Sequence, residues 1–96
     1  MVKVAARGGL PVSSGNTHQV QVGAFFSQGE AQAVLRRVQQ RAGRLLRGSQ
    51  PVSVKVAAHP RTIYRARFAG FDVKRASNVC AQLKTVQIDC FVMRAN

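Results

Sequence analysis

Residues 63–83, with the sequence IYRARFAGFDVKRASNVCAQL, change periodicity within a single run and so decide the fold. Over residues 63–68 polar and apolar side chains alternate, which is typical of a β-strand with one buried face. After Asp72, which can cap a helix, apolar residues recur every three or four positions, as on one face of an amphipathic helix. That apolar stripe consists of Val73, Ala76, Val79, Cys80, Leu83 and, just past the run, Val86. A strand therefore leads directly into a helix at the centre of the domain.

The same two patterns occur once more on the N-terminal side. Residues 18–23 alternate and predict a first strand. Ser27 and Glu30 have the spacing of a capping box, in which the serine caps the helix and the glutamate bonds back to it. The helix predicted after this box has an apolar stripe formed by Ala31, Val34, Leu35, Val38, Ala42, Leu45 and Leu46. We expect Gly48 and Pro51 to end it.

Two more alternating segments, residues 52–56 and 88–93, complete the pattern. Residues 59–62 (HPRT) make a connection short enough to join the segment 52–56 to the strand at 63–68 as a hairpin. The predicted order is β-α-β-β-α-β, which belongs to the α+β class. It implies a four-stranded antiparallel sheet with both helices on one face, as in RNP-like and ferredoxin-like folds.

The opposite face of the predicted sheet is left without cover, and strand parity predicts which side chains lie on it. Those side chains are Gln19, Gln21, Ser53, Lys55, Arg65, Arg67, Asp89, Phe91 and Met93. The candidate binding residues within this set are Gln21, Lys55, Arg65, Arg67, Phe91 and Met93. In the third strand the aromatic residues Tyr64 and Phe68 have the inward parity instead. We expect this open face, with its polar, basic and aromatic groups, to be the binding surface.

Charge and length bound the class of protein. The chain has 96 residues, enough for one domain and too few for two. Its 15 Lys and Arg residues, against the three acids Glu30, Asp72 and Asp89, give a formal net charge of +12. This balance indicates an anionic partner: nucleic acid, an acidic membrane surface or an anionic polysaccharide. Residues 1–17, with their Gly, Ser and Pro, are predicted to be a flexible linker, and residues 18–96 the binding domain.

The two cysteines are the main candidates for covalent chemistry. Cys80 lies on the apolar stripe of the second helix and Cys90 has the inward parity of the last strand, so the sulfurs can come within bonding distance. They could form a disulfide, which would imply an oxidising compartment, or remain buried free thiols. Two cysteines and two distant histidines lack the spacing of a zinc site, and no cofactor is expected. Scattered acids do not supply the paired carboxylates of general acid–base catalysis. The chain also lacks the run of about 18 apolar residues that membrane insertion requires.

Three segments together resemble the SPOR (sporulation-related) domain family. They are residues 20–25 (VQVGAF), residues 64–71 (YRARFAGF), and Cys80 followed by residues 88–92 (IDCFV). The corresponding family patterns are V-Q-x-G-x-F, R-V-x-x-G-P-F and C-x-x-L…G-x-x-C-x-V. The resemblance covers about residues 18–94, with the three motifs in the family's order. Ala24 stands where the family often has serine, and residues 69–71 (AGF) replace Gly-Pro-Phe.

The resemblance implies a peptidoglycan-binding module of the bacterial cell envelope. Members of the family recognise glycan strands without stem peptides, which collect at the division septum. The family's recognition positions correspond to Gln21, Arg65 and Phe91 in this sequence. A finer resemblance is to the SPOR domain at the C-terminus of some alphaproteobacterial D-alanyl-D-alanine carboxypeptidases. It implies that a catalytic domain lies on a longer parent chain, whose signal would direct this non-catalytic domain to the periplasm.

Nucleic-acid binding is the main alternative from the residues alone. The same layout occurs in RNA-recognition motifs, in which aromatic residues on the open face stack bases. Here strand parity leaves only Phe91 as an exposed stacking platform, although the helix arginines could hold phosphates non-specifically. A plain protein-interaction domain is a third interpretation. Specific nucleic-acid binding is therefore not expected, and denuded glycan strands are the predicted partner.

Overall fold

Residues 16–95 are described by the computed structural model, and they form six regular elements in the predicted order. These elements are β1 (His18–Phe25), α1 (Gln28–Ala42), β2 (Gln50–Val56), β3 (Ile63–Phe71), α2 (Val73–Thr85) and β4 (Phe91–Arg94). The α+β class and the β-α-β-β-α-β order are confirmed. Most of the predicted linker, residues 1–15, lies outside the described residues.

The four strands form one antiparallel sheet in the order β2-β3-β1-β4. Both helices pack against the same side of it: α1 contacts β1, β2 and β3, and α2 contacts β1, β3 and β4. A single apolar core fills the space between the two layers, with Val20, Phe68, Phe71 and Leu83 fully buried. The other side of the sheet carries no helix or strand of residues 16–95, so the predicted open face is present.

Both helices begin at the residues that the sequence predicted. Ser27 Oγ accepts a hydrogen bond from the backbone N of Glu30 (3.1 Å) and donates one to the Glu30 carboxylate (3.2 Å). Asp72 Oδ1 accepts a hydrogen bond from the backbone N of Arg75 (2.7 Å). Each cap satisfies a backbone donor that has no partner inside its helix, and this fixes where the helix starts.

The end of α1 differs from the prediction, because the helix stops at Ala42 and the chain continues in turns. Leu46, the last residue of the predicted stripe, still reaches the core. Arg75 of α2 holds these turns in place, since its guanidinium donates to the backbone oxygens of Leu45 (3.4 Å) and Arg47. A basic side chain from one helix thus satisfies carbonyl groups beyond the end of the other.

The phase of β2 is the main correction to the prediction. Ser53 is paired with Ala66, a fully buried residue that faces the helices, and Lys55 lies on the same side of β2. Val54, between them, is paired with Arg65 on the open face. Paired residues share a face, and a shift of one residue in register moves every side chain to the other face. The placement of Ser53 and Lys55 on the open face was therefore wrong, and the valines of β2 lie there instead.

A disulfide joins Cys80 of α2 to Cys90, with the two Cα atoms 5.5 Å apart. It ties the second helix to the chain just before the sheet, on the covered side. β4 is shorter than predicted, because the chain enters the sheet only at Phe91, although Ile88 is already buried. Asp89 is exposed in that connection and lies outside the strand.

The first and last described segments run side by side. His18 is paired with Arg94 across β1 and β4, and the backbone oxygen of Thr17 accepts a hydrogen bond from the backbone N of Ala95 (2.7 Å). The chain therefore enters and leaves the sheet at the same corner. Within residues 16–95, none of the helices has the length and apolar character needed to cross a bilayer.

Candidate functional site: the open sheet face

The open face is built from rows of side chains that cross the strands. The central row contains one residue from each strand; in spatial order they are Val52, Arg67, Gln21 and Phe91. Neighbouring strands lie about 4.8 Å apart, so this row extends about 14 Å across the sheet. The row on one side consists of Gln50, Ala69, Gln19 and Met93. The row on the other side consists of Val54, Arg65 and Ala24.

Arg67, in the central row, bonds to two glutamines of β1. Its Nε donates to Gln21 Oε1 (2.9 Å) and its Nη1 donates to Gln19 Oε1 (3.3 Å). Gln21 is only 6% exposed, so this bond satisfies an acceptor that has little access to water. Each amide oxygen accepts one of these bonds, and each glutamine keeps its amide nitrogen as a donor. The centre of the open face is therefore a set of hydrogen-bond donors.

The charged side chains of the open face are all positive. Burial, and after it the positive charge of Arg65, lowers the pKa of the Arg67 guanidinium from its usual value. The three acidic side chains of the protein lie elsewhere: Glu30 and Asp72 at the starts of the helices, and Asp89 before β4. Two guanidinium groups thus share the face without a carboxylate to neutralise them. An anionic ligand would relieve this repulsion.

Arg65 differs from Arg67 because its side chain has no hydrogen-bond partner among residues 16–95. Its neighbour on β1 is Ala24, whose side chain is a single methyl group, and its neighbour on β2 is Val54. The guanidinium therefore keeps its five N–H donors for a ligand. A planar guanidinium in this state can bind a carboxylate through two parallel hydrogen bonds.

Apolar side chains border the donors on both sides. On β4, Phe91 is 51% exposed and lies beside Gln21, with Met93 in the next row. On β2 the border, which we call the valine border, consists of the half-buried residues Val52, Val54 and Val56. Sequence reasoning missed the valine border because it assigned these residues to the core. Only the β2–β3 register, which pairs them with outward-facing residues of β3, reveals it.

Comparison with known proteins identifies the family. The profile of the SPOR domain matches residues 14–94. This chain belongs to the SPOR domain family. Its fold is similar to the solution structure of the peptidoglycan binding domain of the B. subtilis cell wall lytic enzyme CwlC. The TM-score is 0.60 at 18% sequence identity, over 91% of this chain and 99% of that chain, which shows a shared fold. The curated proteins contain no match to the chain.

Five of the six predicted binding residues of this SPOR domain lie together on the open face. They are Gln21, Arg67 and Phe91 in the central row, and Arg65 and Met93 in the rows beside it. Lys55 does not join them, because it lies on the helix-facing side of β2, with its side chain exposed at the sheet edge. The binding role of the five stays a prediction. What the structure adds is their order across the sheet and the bonds that Arg67 makes.

The SPOR domain also has a groove between α1 and β2, on the covered side. Its volume is about 360 Å³, and it is lined by Gln32, Leu35, Arg36, Gln39, Pro51 and Ser53. Ser53 Oγ is buried and has no hydrogen-bond partner among residues 16–95. No group of three or more metal-ligating side chains occurs in the described part of the chain. The open face differs from this groove in bringing together two guanidinium groups, two glutamine amides and the exposed Phe91 ring.

Proposed function

We propose that this SPOR domain is a non-catalytic module that binds the glycan strands of peptidoglycan through its open face. The observation that carries the proposal is the concentration of hydrogen-bond donors at the centre of that face. There Arg67 donates to the amide oxygens of Gln19 and Gln21, while the Arg65 guanidinium has no hydrogen-bond partner within residues 16–95. Membership of the SPOR family and the similarity in fold to a peptidoglycan binding domain support the proposal.

A glycan strand offers the acceptors that such a face needs. Its acetamido groups carry carbonyl oxygens, and each muramic acid carries a lactyl group to which the stem peptide is attached. Removal of the stem peptide by an amidase leaves a free carboxylate on that lactyl group. We expect Arg65 to bind this carboxylate through two hydrogen bonds. The amide nitrogens of Gln19 and Gln21 are expected to donate to acetamido or hydroxyl oxygens.

The apolar borders offer contact surfaces for the apolar groups of a glycan strand. Sugar rings have apolar faces, and the acetamido groups end in methyl groups. We expect the Phe91 ring to contact a sugar face on one side of the donors, and the valine border to contact methyl groups on the other. Burial of apolar area on both sides adds affinity without adding charge.

The finer part of the proposal is a preference for strands that lack stem peptides. An amide-linked peptide removes the charge with which Arg65 would pair, so peptide-bearing strands are expected to bind more weakly. Such a preference would direct the parent protein to the division septum. The ending at residues 89–95 (DCFVMRA), which resembles carboxypeptidase tails, supports a parent enzyme of the periplasm or cell envelope. Septal localisation of a fluorescent fusion, and its loss in Gln21, Arg65 and Phe91 variants, would test this step.

The direct test compares Arg65→Gln with Lys55→Gln in binding to amidase-treated and untreated glycan strands. Both substitutions remove one positive charge, but only Arg65 lies on the open face. We expect Arg65→Gln to weaken binding to treated strands by at least about tenfold, because a hydrogen bond to a charged group contributes about 1.5–3 kcal/mol. Lys55→Gln should change it by less than about twofold, as for an isolated surface charge.

Conversion of the lactyl carboxylates to neutral amides provides a second arm of the test. It should weaken binding of the unsubstituted domain and leave it no better than the Arg65→Gln variant. Equal affinity of the unsubstituted domain for treated and untreated strands would contradict the preference for denuded strands. No measurable affinity for treated or untreated glycan strands would contradict glycan binding as a whole.

Nucleic-acid binding is the second candidate function, and the formal charge of +12 is the observation that favours it. The aromatic residues of β3 do not support it, since Tyr64 packs against the core and Phe68 is fully buried. Phe91 is left as the aromatic side chain of the open face on which a base could stack. A filter-binding assay with single-stranded RNA separates the candidates. RNA binding that is tighter than glycan binding and is lost in Phe91→Ala would favour this alternative.

A further inference from the structure

The helix layer presents a second cationic surface, on the opposite side of the domain from the open face. Four exposed arginines form this surface, which we call the arginine line; they are Arg36 and Arg37 of α1, and Arg44 and Arg47 of the turns after α1. Two other arginines of the layer are bound to the backbone instead. Arg41 donates to the carbonyl oxygen of Val86 (2.8 Å), and Arg75 donates to carbonyl oxygens beyond the end of α1.

The arginine line follows α1 and the turns after it, with Arg36 bordering the groove beside β2 and Arg44 bordering the pocket beside α2. Backbone hydrogen bonds of the helical type continue after Ala42, with Leu46 N donating to the oxygens of Ala42 (3.3 Å) and Gly43 (3.2 Å). At about 100° per residue, Arg36, Arg37 and Gln40 of α1 fall within about 60° of the direction opposite the buried stripe. From Arg36 to Arg47 the line extends about 16–19 Å, at about 1.5 Å per residue in α1 and about 1.5–2 Å per residue in the turns after it.

No acidic side chain neutralises the arginine line. Glu30 bonds to Ser27 at the start of α1, about 9 Å along the helix axis from Arg36. Asp72 caps α2, and Asp89 lies in the connection before β4. All three acids of the protein are thereby accounted for. Four guanidinium groups repel one another on one side of a helix, and a multivalent anion would remove that repulsion.

The composition of this surface decides which anion fits. Guanidinium groups bind phosphate oxygens in pairs and with fixed geometry. The exposed residues of α1 are Gln28, Gly29, Glu30, Gln32, Arg36, Arg37, Gln39, Gln40 and Arg41, with no apolar or aromatic side chain among them. Such a helix has nothing to insert into the acyl region of a bilayer and nothing on which a base could stack. A linear array of positive charges therefore matches a chain of phosphates better than it matches a bilayer or a nucleic acid held by its bases.

We infer that the arginine line binds a linear phosphate-bearing polymer without bases, on the face opposite the proposed glycan site. The domain would then hold two different polymers at once, one on each side. The inference rests on the placement of the arginines and stands whether or not the open face binds glycan.

The test measures binding of linear inorganic polyphosphate to the whole chain and to two charge-matched variants. The first carries Arg36→Gln, Arg37→Gln, Arg44→Gln and Arg47→Gln. The second, as control, carries four substitutions at exposed positions off the arginine line: Lys55→Gln, Arg61→Gln, Lys74→Gln and Arg94→Gln. Glutamine retains helix propensity close to that of arginine, so both variants should fold. Circular dichroism checks this.

We expect the first variant to lose at least about tenfold in affinity and the control less than about threefold at physiological salt. The slope of log affinity against log salt should fall by about 3 in the first variant, at about 0.7 for each lost phosphate contact. Equal losses in the two variants would overturn the inference, because net charge alone would then explain binding. Absence of polyphosphate binding by the unsubstituted chain would also overturn it.

Two further arms distinguish other anionic partners. Duplex DNA and vesicles rich in anionic lipid are offered at the same phosphate concentration as the polyphosphate. Tighter binding to either, with the same dependence on the arginine line, would overturn the assignment to a polymer without bases. Amidase-treated glycan strands form the last arm. We expect the first variant to bind these strands as the unsubstituted chain does, which would show that the arginine line and the open face act separately. Loss of glycan binding in the first variant would show that the two surfaces serve one ligand and would overturn the inference.

Discussion

The two faces of the sheet use consecutive residues of the same strand for different purposes. In β3, Ala66 and Phe68 are fully buried beneath the helices, whereas Arg65 and Arg67 lie on the open face. The covered face is stabilised by close packing, which tolerates little change in volume. The open face contains the hydrogen-bonded network of Arg67 and the Arg65 guanidinium, which has no hydrogen-bond partner in the described part of the chain. Substitutions one residue apart should therefore differ in kind, with loss of stability on one face and loss of binding on the other.

The largest effect is expected on the covered face. Phe68→Ala should lower the free energy of unfolding by about 3–5 kcal/mol, because it removes a fully buried ring and leaves a cavity. That loss approaches the entire stability of a small domain. Urea unfolding followed by circular dichroism measures it, with Arg65→Ala as the control on the other face. A loss below about 1 kcal/mol for Phe68→Ala would contradict the assignment of the two faces.

The disulfide, also on the covered side, should have the next largest effect. The bond joins residues with a sequence separation of 10 and so restricts the unfolded chain. Reduction removes that restriction and is expected to lower the free energy of unfolding by about 2–3 kcal/mol. Thermal unfolding with and without a reducing agent measures it. The double variant Cys80→Ala/Cys90→Ala is the control, since a reducing agent should not affect it. Two titratable thiols in the denatured, untreated protein would contradict the linkage.

On the open face, Arg67 and Arg65 should separate stability from binding. Arg67→Met leaves the Gln21 oxygen, in a residue that is 6% exposed, without its donor. An unsatisfied buried acceptor costs about 1–3 kcal/mol, so we expect a loss of stability in that range. Arg65→Met should change stability by less than about 0.5 kcal/mol and weaken binding to denuded strands. Equal stability of the two variants would show that the Arg67 network is unimportant for the fold.

The smallest effects are expected on β2, where the two faces were assigned incorrectly from the sequence. Ser53→Ala removes a buried hydroxyl without a partner, so stability should stay the same or rise by up to about 1 kcal/mol. Val54→Ser, on the open face, should cost no more than about 1 kcal/mol. Denaturant unfolding of both variants measures the pair. A loss of several kcal/mol for Val54→Ser would place Val54 in the core, as the sequence alone predicted, with Ser53 and Lys55 on the open face.

The element order and the helix starts could be predicted because they depend on local chemistry. Ser27 with Glu30, and Asp72 alone, satisfy backbone donors within three residues of themselves. The apolar stripes of both helices likewise depend on a period that the chain displays over a dozen residues. The path of the chain after α1 was less predictable, because Arg75 of α2 donates to the carbonyl groups of Leu45 and Arg47 in those turns.

The phase of β2 could not be predicted, because alternation fixes which residues share a face but not which face is covered. The last pair of the β2–β3 hairpin is Val56 with Ile63. A pairing one residue different would turn all three valines inward. Three valines alternating with Ser53 and Lys55 suggest a buried face, but the register of an edge strand depends on the connection at residues 57–62.

The candidate site shows the same limit. Parity correctly placed Arg65 and Arg67 on one face, but their separate roles depend on partners in a distant strand. Gln21 and Arg67 are 46 residues apart in the sequence and meet only through the β1–β3 register. Strict alternation from Val20 would also have turned Ala24 inward. A register shift between Gln21 and Gly23 brings Ala24 to the open face, opposite Arg65.

The adjacent ends of the domain determine how it responds to a pulling force. Force applied between residues 17 and 95 loads the β1–β4 ladder one hydrogen bond at a time, starting with Thr17 and Ala95. Peeling of β4 can proceed through Phe91–Arg94 and stops at Cys90, where the disulfide anchors the chain to α2. Tension would thus remove one apolar border of the open face and leave the other three strands in place. A strand of glycan lying on Phe91 would resist that peeling. The affinity for glycan and the resistance of the domain to force would therefore be coupled through the edge strand β4.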